Sequence, residues 1–138
     1  MKQKLLALML VPLLSSTAVQ ADDVITFADA NVKAICVENW DTNKDGELSK
    51  AEAAAVTDVG TVFQNNIKIK SFDEFQYFTG VKELKAESSE GTWGTFNGCT
   101  NLENVKLPQG LNRLSDMIFY NNKKLKSIYI PKSITEMA

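Results

Sequence analysis

FNGCTNLENVKLPQGLNRL (96–114) and FYNNKKLKSIYIPKSITEM (119–137) decide the fold, because the second stretch repeats the first at an offset of 23 residues. Phe96 falls on Phe119, Leu102 on Leu125, Val105 on Ile128 and Leu107 on Ile130. Pro108 falls on Pro131, Leu111 on Ile134 and Leu114 on Met137. A fixed period of this length is the signature of units that cannot bury an apolar face alone and stack to share one core. Within each unit, Leu-x-x-Val-x-Leu-Pro reads as a short strand with alternate side chains inward. The proline ends the strand, where its missing N–H costs least. Gly98 and Asn121 share a turn position, which points to a left-handed backbone there.

Upstream the pattern is less regular. Ser71 and Glu74 are predicted to cap a short helix carrying Phe72, Phe75 and Phe78, with Gly80 as its stop. Val81-Lys-Glu-Leu84 resembles the next repeat strand, and AESSEGTWG (86–94) reads as a loop inserted before the regular units.

A second signal lies further back, in DTNKDGELSKAE (41–52). Asp41, Asn43, Asp45, Gly46 and Glu52 match a calcium-loop pattern at every specified place. Side-chain oxygens at loop positions 1, 3 and 5 converge on one hard cation, and glycine at position 6 permits the sharp turn. Glu47 at position 7 would offer its backbone carbonyl, Ser49 at position 9 would act directly or through water, and Glu52 would chelate with both oxygens. The flanks are predicted helices. Thr26 opens the first, with Asp29 completing a capping box, and Val32, Ile35, Cys36 and Trp40 line its apolar face. Ser49 and Glu52 cap the second, which Gly60 ends. Such loops usually pair through position 8, here Leu48, and only one copy is present. Leu48 is therefore expected to pack on the following section of chain.

Composition sets the outer bounds. Lys2 and Lys4, an apolar run Leu5–Leu14 and small residues up to Ala21 have the layout of a secretory signal peptide. The apolar run is too short for a membrane span, which needs about 20 residues. Removing residues 1–21 takes two lysines from a chain of net charge −2, leaving about −4. That sign, with no basic stripe, excludes a nucleic-acid binder. Asp22 to Ile25 is expected to be loose. The absence of histidine excludes Ser-His-Asp and Cys-His catalysis and the usual zinc sites. Glu83, Glu87 and Glu90 are scattered acids with no pattern that places a pair around a pocket, so no enzymatic activity is expected. For Cys36 and Cys99, export permits a disulfide, and two small buried thiols fit the apolar patterns equally well.

Thr95-Phe96, Cys99, Leu102, Val105, Leu107, Pro108, Leu111 and Leu114 resemble the repeat of bacterial BspA-like leucine-rich repeat proteins. The second copy departs from that pattern at Ile118 and Asn122, where alanine and cysteine would stand. The resemblance favours Cys99 as a repeat-core residue. The expected fold is α+β: an EF-hand-like helix-loop-helix cap (22–60) on a short leucine-rich-repeat solenoid (61–138). The solenoid has irregular first units and then 23-residue repeats at 96–118 and 119–138. The resemblance also implies a secreted or cell-surface protein that binds a protein or glycan on the outer strand face. By alternation that face carries Asn104, Lys106, Ser127 and Tyr129, flanked by Glu103 and Lys126. Ca2+ is expected to be structural. A dockerin-like assembly module, docking through the calcium helix pair, is the alternative. The last repeat lacks a polar capping segment, so it implies either a longer array or self-association through that end.

Overall fold

The computed structural model describes residues 23–85 and 94–137. The expected leader and all of the 86–94 insertion except Gly94 lie outside the described residues.

Six short strands build two three-stranded sheets. β1 (Ser71–Phe72), β3 (Asn104–Lys106) and β5 (Ser127–Tyr129) form one in that order. β2 (Glu83–Leu84), β4 (Arg113–Leu114) and β6 (Glu136–Met137) form the other. Every pairing is parallel, with Asn104 beside Ser127, Val105 beside Ile128, and Arg113 beside Glu136. The chain thus alternates between the sheets, and each unit adds one strand to each. Parallel neighbours of this kind need a connection that crosses back, and the 23-residue period supplies it.

An irregular unit, as expected, precedes the two regular ones. Phe63, Phe96 and Phe119 occupy one position, and their rings form a row: Phe63 is tilted by 32° against Phe96 with centroids 5.6 Å apart, and Phe96 and Phe119 stack at 5.5 Å. Two residues on, Asn65, Gly98 and Asn121 all have left-handed backbones, with φ of 57°, 77° and 64°. The next position donates a hydrogen bond to the preceding unit. Cys99 Sγ donates to the Phe63 carbonyl at 3.0 Å, and Asn122 Nδ2 donates to the Phe96 carbonyl at 2.7 Å. The replacement of cysteine by asparagine in the last unit therefore keeps one function. It also settles the cysteines: both are buried free thiols. Burial pushes the Cys99 thiol up to about 11, against a lowering backbone hydrogen bond from Asn66.

The first unit differs from expectation. Ser71 and Phe72 are strand, not helix cap, since they pair with Asn104 and Val105 of β3. A 3-10 helix follows at Asp73–Tyr77 without a side-chain cap. Glu74 turns inward and accepts a hydrogen bond from the Ala28 N–H at 3.2 Å. Glu83–Leu84 belongs to the second sheet and so does not continue the series of Val105 and Ile128.

Among the described residues, the N-terminal part holds two helices, α1 (Ala30–Trp40) and α2 (Lys50–Ala55). The N-cap of α1 is Asp29, three residues later than the predicted Thr26, and it accepts from the Asn31 N–H at 2.9 Å. The reason is a pairing that extends the preceding chain. Val24 bridges Ser49, and the Ile25 N–H donates to the Leu48 carbonyl at 2.9 Å. Asp23–Ile25 is thus ordered rather than loose, and Ile25 is buried. The Leu48 backbone pairs with the segment before α1, and its side chain is fully buried in the core cluster that also holds Val56, Val59 and Phe63. α2 carries the predicted Ser49–Glu52 capping box but stops at Ala55, short of Gly60, where Val56 and Val59 turn inward.

One cluster of buried side chains runs from Ile25 through Val32, Cys36 and Leu48 into the repeats and on to Ile118. Five phenylalanines, 63, 72, 75, 78 and 96, are fully buried in it. Each contributes about 1.5–3 kcal/mol of transfer free energy. Trp40 of α1 packs edge-on against Phe78 at 5.4 Å, which joins the helices to the repeats. Gly80 lies at the same seam: a Cβ there would sit 2.6 Å from the Val56 carbonyl oxygen. The last unit is less covered. Ile128, Ile130 and Met137 are 36%, 45% and 64% exposed, although their sequence equivalents Val105, Leu107 and Leu114 are buried.

Candidate functional site

The outer face of the first sheet brings the four predicted binding residues together. Strand alternation sends Phe72, Val105 and Ile128 inward, so the residues on either side of them point out. In register, Asn104 stands beside Ser127 and Lys106 beside Tyr129. Lys106, Ser127 and Tyr129 are exposed, while Asn104 is half-buried. Tyr129 leaves 49% of its surface in solvent, with Ile130 beside it. An aromatic ring held on a strand costs little entropy to immobilise against a partner.

Of the charges at the entry to this sheet, Glu103 and Lys126 were read from the sequence and Lys70 was not. Lys70, Glu103 and Lys126 occupy one repeat position, just before β1, β3 and β5. Lys126 makes an ion pair with Glu103. The hydrogen bond and charge of Lys126, then the charges of Lys124 and Lys70, hold the Glu103 carboxyl below its usual range. One acid among three lysines makes this flank basic on a net acidic chain. The second sheet has the opposite order, Glu83–Arg113–Glu136, with Arg113 3.3 Å from Glu83. The first unit is spaced 33 residues from the next in the first sheet and 30 in the second, so an eye set to 23 residues pairs the wrong positions.

The acidic loop is closed on itself. Asp41 Oδ1 accepts from the Lys44 N–H at 2.8 Å and Oδ2 from the Gly46 N–H at 2.9 Å. Asp45 Oδ2 accepts from Asn43 Nδ2 at 3.1 Å. Glu52 Oε1 accepts from the Thr42 N–H and hydroxyl at 2.8 and 2.9 Å, and Oε2 from the Ser49 N–H and hydroxyl. Burial alone would raise the Glu52 carboxyl, but the donors from Ser49, Thr42 and Asn43 outweigh it and lower it to about 2. The Glu47 side chain pairs with Lys33 at 2.8 Å, which leaves its backbone carbonyl, the group expected to face a cation, unaffected. Lys44 and Gly46 take the positive φ values the turn requires, 63° and 83°. Among the described residues, no group of three or more His, Cys, Asp or Glu stands close enough to hold a metal ion. The donor types are all oxygen, as a hard cation needs, but Glu52 is spent on backbone and hydroxyl donors across the loop.

Among the described residues no helix is long and apolar enough to cross a membrane. Residues 61–138, more than half of the chain, match the BspA type leucine-rich repeat region (6 copies). No curated protein matches the chain, and no solved structure matches it.

Proposed function

We propose, for a chain that belongs to the BspA-type leucine-rich repeat family, a non-catalytic binding or adhesion role carried by the outer face of β3 and β5. The observation that carries this reading is the register that sets Lys106 beside exposed Tyr129 next to a lysine-rich flank. The partner that suits it is an acidic protein surface or anionic glycan, offering charge to Lys106, Lys124 and Lys70 and a flat apolar contact to Tyr129. The fold is then a short solenoid with the helix pair covering its first unit. The protein acts outside the cytoplasm, delivered by the leader-like segment 1–21.

The test is binding to panels of extracellular proteins and glycans by the protein, Lys106→Glu and Tyr129→Ala. Retention of every interaction by both variants, at unchanged melting temperature, would remove the reading. Charge-led binding should also weaken as salt shortens the screening length from about 10 Å at 0.1 M.

Calcium is the second part of the proposal, as a structural ion in the Asp41–Glu52 loop. It rests on the all-oxygen donor set and on the turn at Gly46. Binding requires Glu52 Oε1 to leave the Thr42 and Asn43 donors. A thermal melt with calcium and with chelator, beside Asp41→Ala, tests it: a calcium-dependent rise absent from the variant supports the site, and no shift at millimolar calcium removes it. The dockerin-like alternative has no observation in its favour, since Ile25 of the same chain already pairs with Leu48. Self-association through the exposed Ile128, Ile130 and Met137 remains part of the proposal. Light scattering tests it, with a concentration-independent monomer as the opposing result.

A further inference from the structure

The last unit leaves one edge of each sheet open. In the preceding unit the Glu103 carbonyl accepts from the Lys126 and Ser127 N–H groups at 2.8 and 3.1 Å, and the Leu107 N–H donates to the Tyr129 carbonyl at 3.0 Å. In the second sheet the Asn112 carbonyl accepts from the Thr135 and Glu136 N–H groups at 2.9 and 3.3 Å. The equivalent groups one repeat on are the Lys126 carbonyl, the Ile130 N–H and the Thr135 carbonyl. They face outward from β5 and β6, which have no further strand beside them among the described residues. The opposite edge of the first sheet is closed. There Asp29 offers a carboxylate oxygen to the Lys70 and Ser71 N–H groups, in place of a preceding unit's carbonyl.

Side chains and charge at the open edge say what fits it. Ile128 and Ile130 are exposed where Val105 and Leu107 are buried, and Leu125 is only partly covered where Leu102 is fully buried. Residues 119–137 carry four lysines against one acid, Glu136, on a chain of net charge −2. Lys126 is paired with Glu103, whereas Lys123, Lys124 and Lys132 are exposed and have no ion-pair partner among the described residues. Lysines around an edge strand keep like edges apart. The self-association proposed above uses this same edge, and it would set these lysines of one copy against those of the other. A strand that carries acids meets the same groups with attraction instead of repulsion.

We infer that the free edge of β5 takes an extended acidic segment of another protein as an added strand. Main-chain hydrogen bonds to the Lys126 carbonyl and the Ile130 N–H supply affinity, and pockets for alternate side chains supply selection. Alternation sends every second side chain of the guest toward Leu125, Ile128 and Ile130, which calls for apolar residues there. The residues between them face solvent, where Asp or Glu answers the lysines that precede and follow β5. This surface is distinct from the outer face of β3 and β5, because the guest lies beside β5 and leaves Lys106 untouched.

The probe is a synthetic peptide that alternates valine with aspartate and glutamate, followed by fluorescence anisotropy. The whole protein should bind it saturably and should not bind the same peptide with lysine in the acidic places. Methylating every second backbone nitrogen keeps side chains and charge but removes the donors of one strand edge. Made in both phases, it should weaken binding by about tenfold or more in one of them. Ile130→Pro removes the outward N–H without taking a hydrogen bond from the fold, and should weaken binding several-fold. Lys123→Glu/Lys132→Glu alters only exposed side chains and should weaken it by about tenfold or more. Lys106→Glu, on the outer face, should leave it unchanged, which separates this edge from the face reading. Absence of saturable binding by the acidic peptide overturns the inference. So does full retention by both methylated peptides or by the Lys123→Glu/Lys132→Glu variant, or loss with Lys106→Glu. A dimer in light scattering that excess acidic peptide does not dissociate also overturns it, because a second copy then holds the edge.

Discussion

Asp29 is the residue whose removal most directly tests how the helices are held to the repeats. One carboxylate oxygen caps α1 through the Asn31 N–H, and the other accepts from the Lys70 and Ser71 N–H groups at 2.5 and 3.2 Å. Asp29→Ala loses the cap, worth about 1 kcal/mol. It also strands two partly buried N–H groups at about 1 kcal/mol each, the low end of the usual range because water can reach Lys70. The expected loss is about 3 kcal/mol, a large share of the roughly 5–15 kcal/mol that holds a domain together. It should lower the melting temperature by roughly 10–15 °C for a chain of this size.

The acid limb gives an independent reading. Burial pushes the Asp29 carboxyl up, but the N–H groups of Lys70, Asn31 and Ser71 outweigh it and hold it below its ordinary value. A carboxyl depressed in the folded state contributes its stability above the unfolded pKa and loses it as the pH falls through the folded one. Urea melts from neutral pH downward should therefore converge for the protein and Asp29→Asn at low pH and diverge above about pH 4. A loss of 1 kcal/mol or less for Asp29→Ala would show that Asp29 is an ordinary helix cap and that the contact with Lys70 and Ser71 contributes nothing.

Three further outcomes follow from the same geometry. Asn122→Ala removes the side-chain donor to the Phe96 and Cys99 carbonyls, which keep the Cys99 and Leu102 N–H groups, and should cost about 1 kcal/mol in urea melts, part of the loss being offset because Asn122 Oδ1 is itself buried and unpartnered. Asn122→Cys should retain more of that stability than the alanine variant, since Cys99 makes the equivalent bond one unit earlier. Gly80→Ala drives a Cβ into the Ala54 and Val56 carbonyls, which are backbone and cannot swing aside. It should destabilise by more than about 2 kcal/mol, seen as a loss of cooperative unfolding between the helices and the repeats. Both thiols should resist a thiol-modifying reagent at neutral pH until the protein unfolds, because burial keeps Cys36 and Cys99 protonated. Ready labelling of Cys99 in the native state would contradict the core assignment.

The regular repeats were legible because their periodicity follows from burial. Phe96, Leu102, Val105 and Leu107 must all face inward, and alternation then places Lys106 and Tyr129 outside. The first unit was legible as an irregular repeat, but its register was not, for two reasons. Its spacing is stretched by the 3-10 helix Asp73–Tyr77 and by the insertion after Leu84, so Phe63 stands 33 residues before its equivalent Phe96. The pair Ser71 and Glu74 also satisfies a helix-capping rule that tertiary contacts override: Ser71 pairs with Asn104, and Glu74 is drawn in by the Ala28 N–H. The same contest shifted the start of α1. Thr26 and Asp29 suit a capping box, but pairing with Leu48 and Ser49 keeps the chain extended until Asp29. The acidic loop illustrates a different limit. Its spacing names six ligand positions, yet spacing alone does not say whether Glu52 turns to a cation or to the Thr42 and Asn43 donors. The inward turn of Glu74 and the tether from Asp29 to Lys70 and Ser71 carry no sequence motif, because both depend on which segments meet.

The central claim is that the β3–β5 face is the surface with which this protein recognises a partner. The most direct measurement compares, on one panel of extracellular proteins and glycans, the protein, the Lys106→Glu/Tyr129→Ala double variant and a control with Arg113→Ala on the second sheet. The account predicts at least one saturable interaction that the face variant loses and the Arg113 variant keeps, with the melting temperature of both close to the original. An interaction that survives the face variant and is lost with Arg113→Ala would contradict it.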